Sequence, residues 1–98
     1  MNIEDHILPR VPWRVTSVEV LSGLRLRVTF ADGLEGTVDL SRMVYSPRAG
    51  VFADLADSTF FTQVRIDCGT VTWPGGLDLA PDTMHAAILM HGEWILEA

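Results

Sequence analysis

The chain has 98 residues, of which 48% are hydrophobic and 20% are charged, a composition that suits one small globular domain. Thirteen acidic residues against seven arginines give a net charge of −6, which opposes non-specific binding to nucleic acids and anionic membranes. The single cysteine, Cys68, excludes an intrachain disulfide framework. The sequence has neither a long apolar run nor the pattern of a signal peptide, so we expect a cytoplasmic protein.

The first thirteen residues differ in composition from those that follow. Pro9 and Pro12 lie in this stretch, and their fixed φ and missing N–H prevent a long helix there. We therefore expect a single domain over residues 1–98, with an extended leader of residues 1–13, a core of residues 14–92 and a tail of residues 93–98.

Alternation of apolar and polar residues predicts a meander of three antiparallel strands. The first strand is expected near Val15–Val20, followed by a turn at Ser22-Gly23. The second, Leu24–Phe30, has the clearest alternation, and Leu34–Leu40 returns beside it. Asp32-Gly33 between them predicts a type I′ turn, in which both central residues need a positive φ.

The second half of the chain predicts shorter elements. Apolar spacing from Val51 to Phe61 favours a short helix, and the apolar runs on either side of Cys68 favour a second hairpin. Pro81 and Gly92 bracket a helix of about ten residues. The predicted class is α+β: an antiparallel sheet, made of a three-stranded meander plus a second hairpin, with one or two short helices on one side.

Four motifs place apolar or aromatic residues beside Asp, and three of them also contain Gly at fixed spacings. They are Phe30-x-Asp32-Gly33, Val38-Asp39-Leu40, Gly50-x-Phe52-x-x-Leu55-x-Asp57-x-x-x-Phe61 and Trp73-Pro74-x-Gly76-x-Asp78-Leu79-x-Pro81-Asp82. Together they resemble the small bacterial proteins grouped as domain of unknown function 2442. The likeness runs from about Val15 to about Ile88, and the last motif is its most specific part.

This resemblance implies a compact α+β fold with no established activity, and it supplies no catalytic residues. Some relatives are joined to a helix-turn-helix segment. Others are encoded next to a second small protein in arrangements that resemble toxin–antitoxin pairs. The resemblance thus implies an antitoxin-like or regulatory role beside a second small protein.

One group of side chains has the chemistry of a metal site. Asp82 and His85 stand three residues apart on the predicted helix, and Asp78 lies one turn upstream, so the three could converge on a divalent ion. A simpler interpretation is that Asp78 or Asp82 satisfies N–H groups at the helix start, and this one is favoured. With Trp73, the same residues define the alternative function, a small-ligand or metal site or an enzyme cleft.

No sequence motif supports a cofactor, so we expect none. The chain has no phosphate-binding loop, dinucleotide fingerprint or nucleophile elbow. Arg25 and Arg27 share one face of the second predicted strand, but Glu19 and Glu35 should lie on the same face and pair with them. A mixed-charge face without stacking aromatics makes direct binding of nucleic acid unexpected.

Large apolar side chains are concentrated near the two ends of the chain. Such residues either pack back on the core or contact another chain, and the sequence leaves both open. Val15–Val20 is the candidate edge strand, which presents unpaired backbone groups. The sequence therefore favours a non-enzymatic protein–protein interaction module, a homodimer or the partner of a second small protein. The expected partner-binding residues are Ile7, Leu8, Trp13, Trp94, Ile95 and Leu96.

Overall fold

The computed structural model describes residues 11–97 and confirms the α+β class. In chain order its elements are β1 (Val15–Leu21), β2 (Arg25–Phe30), β3 (Glu35–Asp39), α1 (Ser41–Val44), a 3₁₀ helix (Gly50–Ala56), α2 (Ser58–Phe61), β4 (Arg65–Asp67), β5 (Thr70–Thr72), α3 (Pro81–His91) and β6 (Glu93–Ile95). They form a main sheet of four strands, a separate hairpin and a few short helices. Within the described range, no helix combines the length and apolar character needed to cross a membrane.

The predicted meander forms the greater part of the main sheet, whose strand order is β1-β2-β3-β6. Strand β2 alternates as its sequence requires: Leu26, Val28 and Phe30 are buried, whereas Arg25 and Arg27 are exposed. Strands β1 and β3 each pair with it in antiparallel fashion. One face of this sheet therefore supports the core, and the other faces water.

The segment expected to be a tail contributes the fourth strand. Strand β6 lies parallel to β3, with Val38 opposite Trp94. The N–H of Leu96 donates to the carbonyl of Asp39 at 3.0 Å, which extends the pairing past the end of the strand. The C-terminal apolar residues thus pack back on the sheet, because α3 returns the chain to the edge of β3 that does not pair with β2.

The turn between β2 and β3 differs from the predicted type I′ turn. Gly33 has a positive φ of 89°, but Asp32 does not. The N–H of Phe30 donates to the Leu34 carbonyl at 2.8 Å, so the loop holds three residues and ends on a left-handed glycine. Both residues of the turn between β4 and β5, Cys68 and Gly69, have a positive φ, as a type I′ turn requires.

Helix α3 begins at Pro81 and ends at His91, with Gly92 as the C-terminal cap, as predicted, and it covers the apolar face of the sheet. Its Met84 and Ile88 side chains are buried there. Gly36 of β3 makes this close approach possible, since a Cβ at that position would lie 2.4 Å from Cγ2 of Ile88. A larger residue would push the helix off the sheet.

Trp73 anchors another part of the core. Its side chain is fully buried, and its indole N–H donates to the carbonyl of Phe61 at 2.9 Å. The rings of Phe61 and Trp73 stack with centroids 5.9 Å apart. The residue after β5 is therefore tied to the end of α2, and the turn that follows Trp73 is held in a defined position.

Candidate functional site

The three metal-ligand candidates have separate surroundings. Asp78 is exposed and pairs through its backbone with Thr72. Asp82 accepts a hydrogen bond from the N–H of Thr83 at 2.9 Å, in the first turn of α3. Within residues 11–97, no three or more His, Cys, Asp or Glu side chains are grouped so that they could hold a metal ion. The less favoured alternative, in which Asp78, Asp82 and His85 converge on one ion, is therefore not supported by the positions of these side chains.

His85 instead contacts the turn between β2 and β3. Its Nε2 lies 2.8 Å from Oδ2 of Asp32, and its ring meets that of Phe30 edge to face with centroids 4.8 Å apart. The pKa of the Asp32 carboxyl is lowered, first by the hydrogen bond from the Leu34 N–H and then by the one with His85. The helix and the turn are tied together by this contact.

The cleft suggested by the sequence is only partly present. Trp73 is buried in the core, and neither Asp82 nor His85 lines a groove with Asp78. Asp78 does line an open groove of about 450 Å³, which lies between the 3₁₀ helix and the turn after Trp73. The sequence does not reveal this groove, because its two walls are separated along the chain.

We call this feature the acidic groove. Its apolar lining comes from Val51, Phe52, Phe60, Pro74 and Leu77, and its carboxylates are those of Asp54 and Asp78. Gly75 and Gly76, both with positive φ, form the turn that shapes one wall. A smaller depression beside it adds Asp57 and shares Asp54 and Phe60. The groove can thus accept an apolar group while placing negative charge around it.

The expected partner-binding residues fall into three groups. Ile7 and Leu8 lie outside the described residues. Trp13 is 40% exposed, and Trp94 and Ile95 are half-buried in β6. Leu96 is only 6% exposed and belongs to the core, because residues two apart share one face of a strand and Trp94 already packs against the core. Leu96 is therefore not available at a surface.

Strand β6 forms one edge of the main sheet. The carbonyl of Gly92 and the N–H of Leu96 point toward β3, where they accept from Thr37 and donate to Asp39. Because backbone groups alternate along a strand, the N–H and carbonyl groups of Glu93 and Ile95 point away from β3. Within residues 11–97, no other strand pairs on that side.

A shallow groove of about 300 Å³ runs beside this edge. It is lined by Ala87 and His91 of α3 and by Glu93, Trp94 and Ile95 of β6. Met90, in the same part of α3, is 77% exposed. This groove therefore adjoins the outward edge of β6.

Strand β1 forms the other edge, as predicted, but the β4–β5 hairpin covers its beginning. The N–H of Val15 donates to the carbonyl of Gly69 at 2.9 Å. The side chain of Arg14 packs so closely on Gly69 that a Cβ there would lie 2.4 Å from Arg14 Cγ. The Arg14 side chain therefore packs on the β4–β5 hairpin and does not join the arginines of β2.

The water-facing side of the sheet carries charges of both signs, as predicted. Arg27 stands opposite Glu19 in the β1–β2 pairing, and it forms an ion pair with Glu35 at 3.7 Å. The Nε of Arg25 donates to the carbonyl of Ser22 at 2.9 Å. These arginines are balanced by nearby acceptors, so this face does not form a basic platform.

Comparison with known proteins places the fold in a family. No curated protein and no solved structure matches the sequence. The model of one family, described as proteins of unknown function (DUF2442), matches residues 15–89 and so takes in β1 through most of α3. The matched part includes the Asp32–His85 contact and the acidic groove. Since the match covers most of the chain, the protein belongs to the DUF2442 family.

Proposed function

We propose that this protein is a non-enzymatic protein–protein interaction module that forms a homodimer and acts as the antitoxin-like or regulatory partner of a second small protein. The observation that carries the proposal is the outward edge of β6, where Glu93 and Ile95 direct backbone donors and acceptors away from β3. An added strand would satisfy these groups, and the adjoining groove would take its side chains.

A second copy of the chain fits this edge through twofold symmetry. Two identical strands related by a twofold axis run antiparallel, and a pairing centred on Trp94 sets Glu93 opposite Ile95 of the other copy. These are the two residues whose backbone groups point outward, so four hydrogen bonds can form. Each glutamate faces an isoleucine, which avoids a direct contact between like charges.

The β6 edge suits this role better than the β1 edge. The β4–β5 hairpin blocks the beginning of β1 through Val15 and Gly69. At β6, the described residues provide no such cover, and the large side chains of Trp94 and Ile95 are only half-buried. Burying them in a contact would add a hydrophobic contribution to the hydrogen bonds.

The test is the mass of the purified chain in solution, measured by light scattering at micromolar concentration. We expect a dimer for the wild type and a monomer for Ile95→Pro, which removes an outward N–H. Val20→Pro is the matched control, since alternation places its N–H on the outer edge of β1. A monomeric wild type, or a dimer that Ile95→Pro retains, would contradict the proposal.

Hydrogen exchange tests the same contact without a substitution. The amides of Glu93 and Ile95 should exchange slowly at high protein concentration and faster on dilution, because dissociation returns them to water. Each copy carries a net charge of −6, so added salt should strengthen the dimer. Exchange that does not depend on concentration would argue against the pairing.

A further inference from the structure

The acidic groove joins three properties that together define a class of ligand. Its volume of about 450 Å³ lies in the range of binding pockets, although it is open to solvent. Phe52, Phe60 and Leu77 are half-buried and give it an apolar floor. Asp54 and Asp78 also line the groove, and both residues are exposed.

The charge of the groove is of one sign. Among the described residues, no arginine or histidine lines the groove or the depression beside it. The ion pairs of residues 11–97 involve other carboxylates, those of Glu35, Glu97 and Asp32. Asp54 and Asp78 are thus two uncompensated charges beside an apolar surface, and their electrostatic complement is a cation with apolar neighbours.

We propose that the acidic groove binds a basic segment of the partner protein. A guanidinium or ammonium group of that segment sits between Asp54 and Asp78, and an adjacent apolar side chain lies on Phe52 and Phe60. The flat guanidinium of arginine suits this place best, since it stacks on aromatic rings as well as pairing with carboxylates. This inference rests on the proposed interaction function but uses a surface separate from β6.

Other occupants fit the groove less well. Residues 1–10 contain Glu4, Asp5 and a single arginine, Arg10, so the leader is not the complement of an acidic site. Phosphate groups of a nucleic acid would be repelled by Asp54 and Asp78. A bare metal ion would gain nothing from the phenylalanine floor and would need more ligands than two carboxylates.

The experiment is a two-dimensional amide NMR titration of the full-length protein with two capped tripeptides, Arg-Leu-Arg and Glu-Leu-Glu. We expect the basic peptide to shift the amides of Gly75, Gly76 and Leu77, and to bind more weakly as salt is raised. The acidic peptide should leave these amides unchanged. A basic peptide that causes no shifts at millimolar concentration, or shifts only elsewhere, would overturn the proposal.

Two double variants of equal net charge distinguish binding at the acidic groove from a general attraction between the basic peptide and the acidic protein. Asp54→Asn combined with Asp78→Asn should weaken binding about fivefold, the size expected for two exposed ion pairs. Glu19→Gln combined with Asp67→Asn changes the net charge equally, away from the groove, and should leave affinity unchanged. Equal weakening in both double variants would mean that only net charge matters, which contradicts a site.

Further results identify the occupant of the groove and separate the groove proposal from the dimer proposal. Contacts between Ile7 or Leu8 and the Phe52 ring, seen by the nuclear Overhauser effect in the free protein, would make the leader the occupant and refute the proposal.

If the basic peptide fails to bind while the chain is a dimer through β6, only the groove assignment fails. If it binds to a monomer, only the dimer assignment fails.

Discussion

His85 on helix α3 holds Asp32 in the turn between β2 and β3, with Nε2 and Oδ2 2.8 Å apart. Asp32 also accepts a hydrogen bond from the N–H of Leu34 at 3.0 Å, which shapes the turn itself. One carboxylate therefore serves both the local turn and the packing of the helix. Phe30, at the end of β2, supports the imidazole ring from the core side.

The first prediction concerns the pH dependence of stability. The fold lowers the pKa of Asp32 below its ordinary 3.8, chiefly through the Leu34 N–H and then through His85. A carboxyl whose pKa is lower in the folded state stabilises the fold above its unfolded pKa, and the effect is lost as the pH falls through the folded pKa. The melting temperature should therefore fall when the pH is lowered below 3.8, the ordinary pKa of an aspartate.

Asp39 changes the pH dependence of stability in the same direction, so its contribution has to be measured separately from that of Asp32. Burial raises the pKa of Asp39, but hydrogen bonds from Ser41 and the charges of Arg25 and Arg42 outweigh it and lower the pKa. Thermal melts of the wild type, Asp32→Asn and Asp39→Asn between about pH 6 and about pH 2 give the comparison. If Asp32→Asn leaves the acid side of the profile unchanged, the Asp32 contacts do not favour the charged form.

The second prediction concerns Trp73. Replacing this fully buried residue by alanine should lower the free energy of unfolding by about 3–5 kcal/mol, the range for deleting a large aromatic from a core. Trp73→Phe keeps most of the packing but leaves the Phe61 carbonyl without its donor, and should cost about 1–3 kcal/mol. Denaturant titrations measure both. Equal losses would show that the hydrogen bond dominates.

The third prediction concerns the contact between Gly36 and Ile88. Gly36→Ala should destabilise the protein by about 1–3 kcal/mol, because the new methyl group would overlap Ile88 and lie 2.8 Å from the carbonyl of Gly92. Thr37→Ala, on the next residue of the same strand, is the control and should have a smaller effect. An unchanged melt for Gly36→Ala would mean that α3 can shift without penalty.

The fourth prediction concerns metal removal. Within the part of the chain described here, Asp78, Asp82 and His85 do not converge, so a chelator should leave the melting temperature of the purified protein unchanged. A metal bound only by the folded state would add stability by mass action and would be lost with the chelator. Melts with and without EDTA, together with elemental analysis, provide the measurement. A chelator-sensitive melt would contradict the placement of these residues.

Local patterns were sufficient to predict much of the fold. The alternation in β2 fixes which residues face the core, and Pro81 and Gly92 bracket α3 because each suits one end of a helix. The turn types were harder to predict. Asp-Gly is compatible with more than one turn, and the loop length that decides between them depends on how Phe30 pairs with Leu34.

The features that join distant segments could not be predicted from the sequence. Strand β6 has only three residues, too few for a period to be recognised, and its partner β3 lies far away in sequence. The Asp32–His85 contact and the acidic groove likewise join separate parts of the chain. Their residues are visible in the sequence, but their proximity results from tertiary packing.

The parallel pairing of β3 with β6 joins residues much farther apart in sequence than the other pairings of the main sheet, which bears on how the chain folds. The β1–β2–β3 meander closes only short loops and is expected to form early, whereas pairing of β6 with β3 closes a long loop that contains α3 and is expected to form later. The edge at which we propose that two chains meet is therefore completed late. Assembly would then select chains that have finished folding, and partly folded chains would stay single.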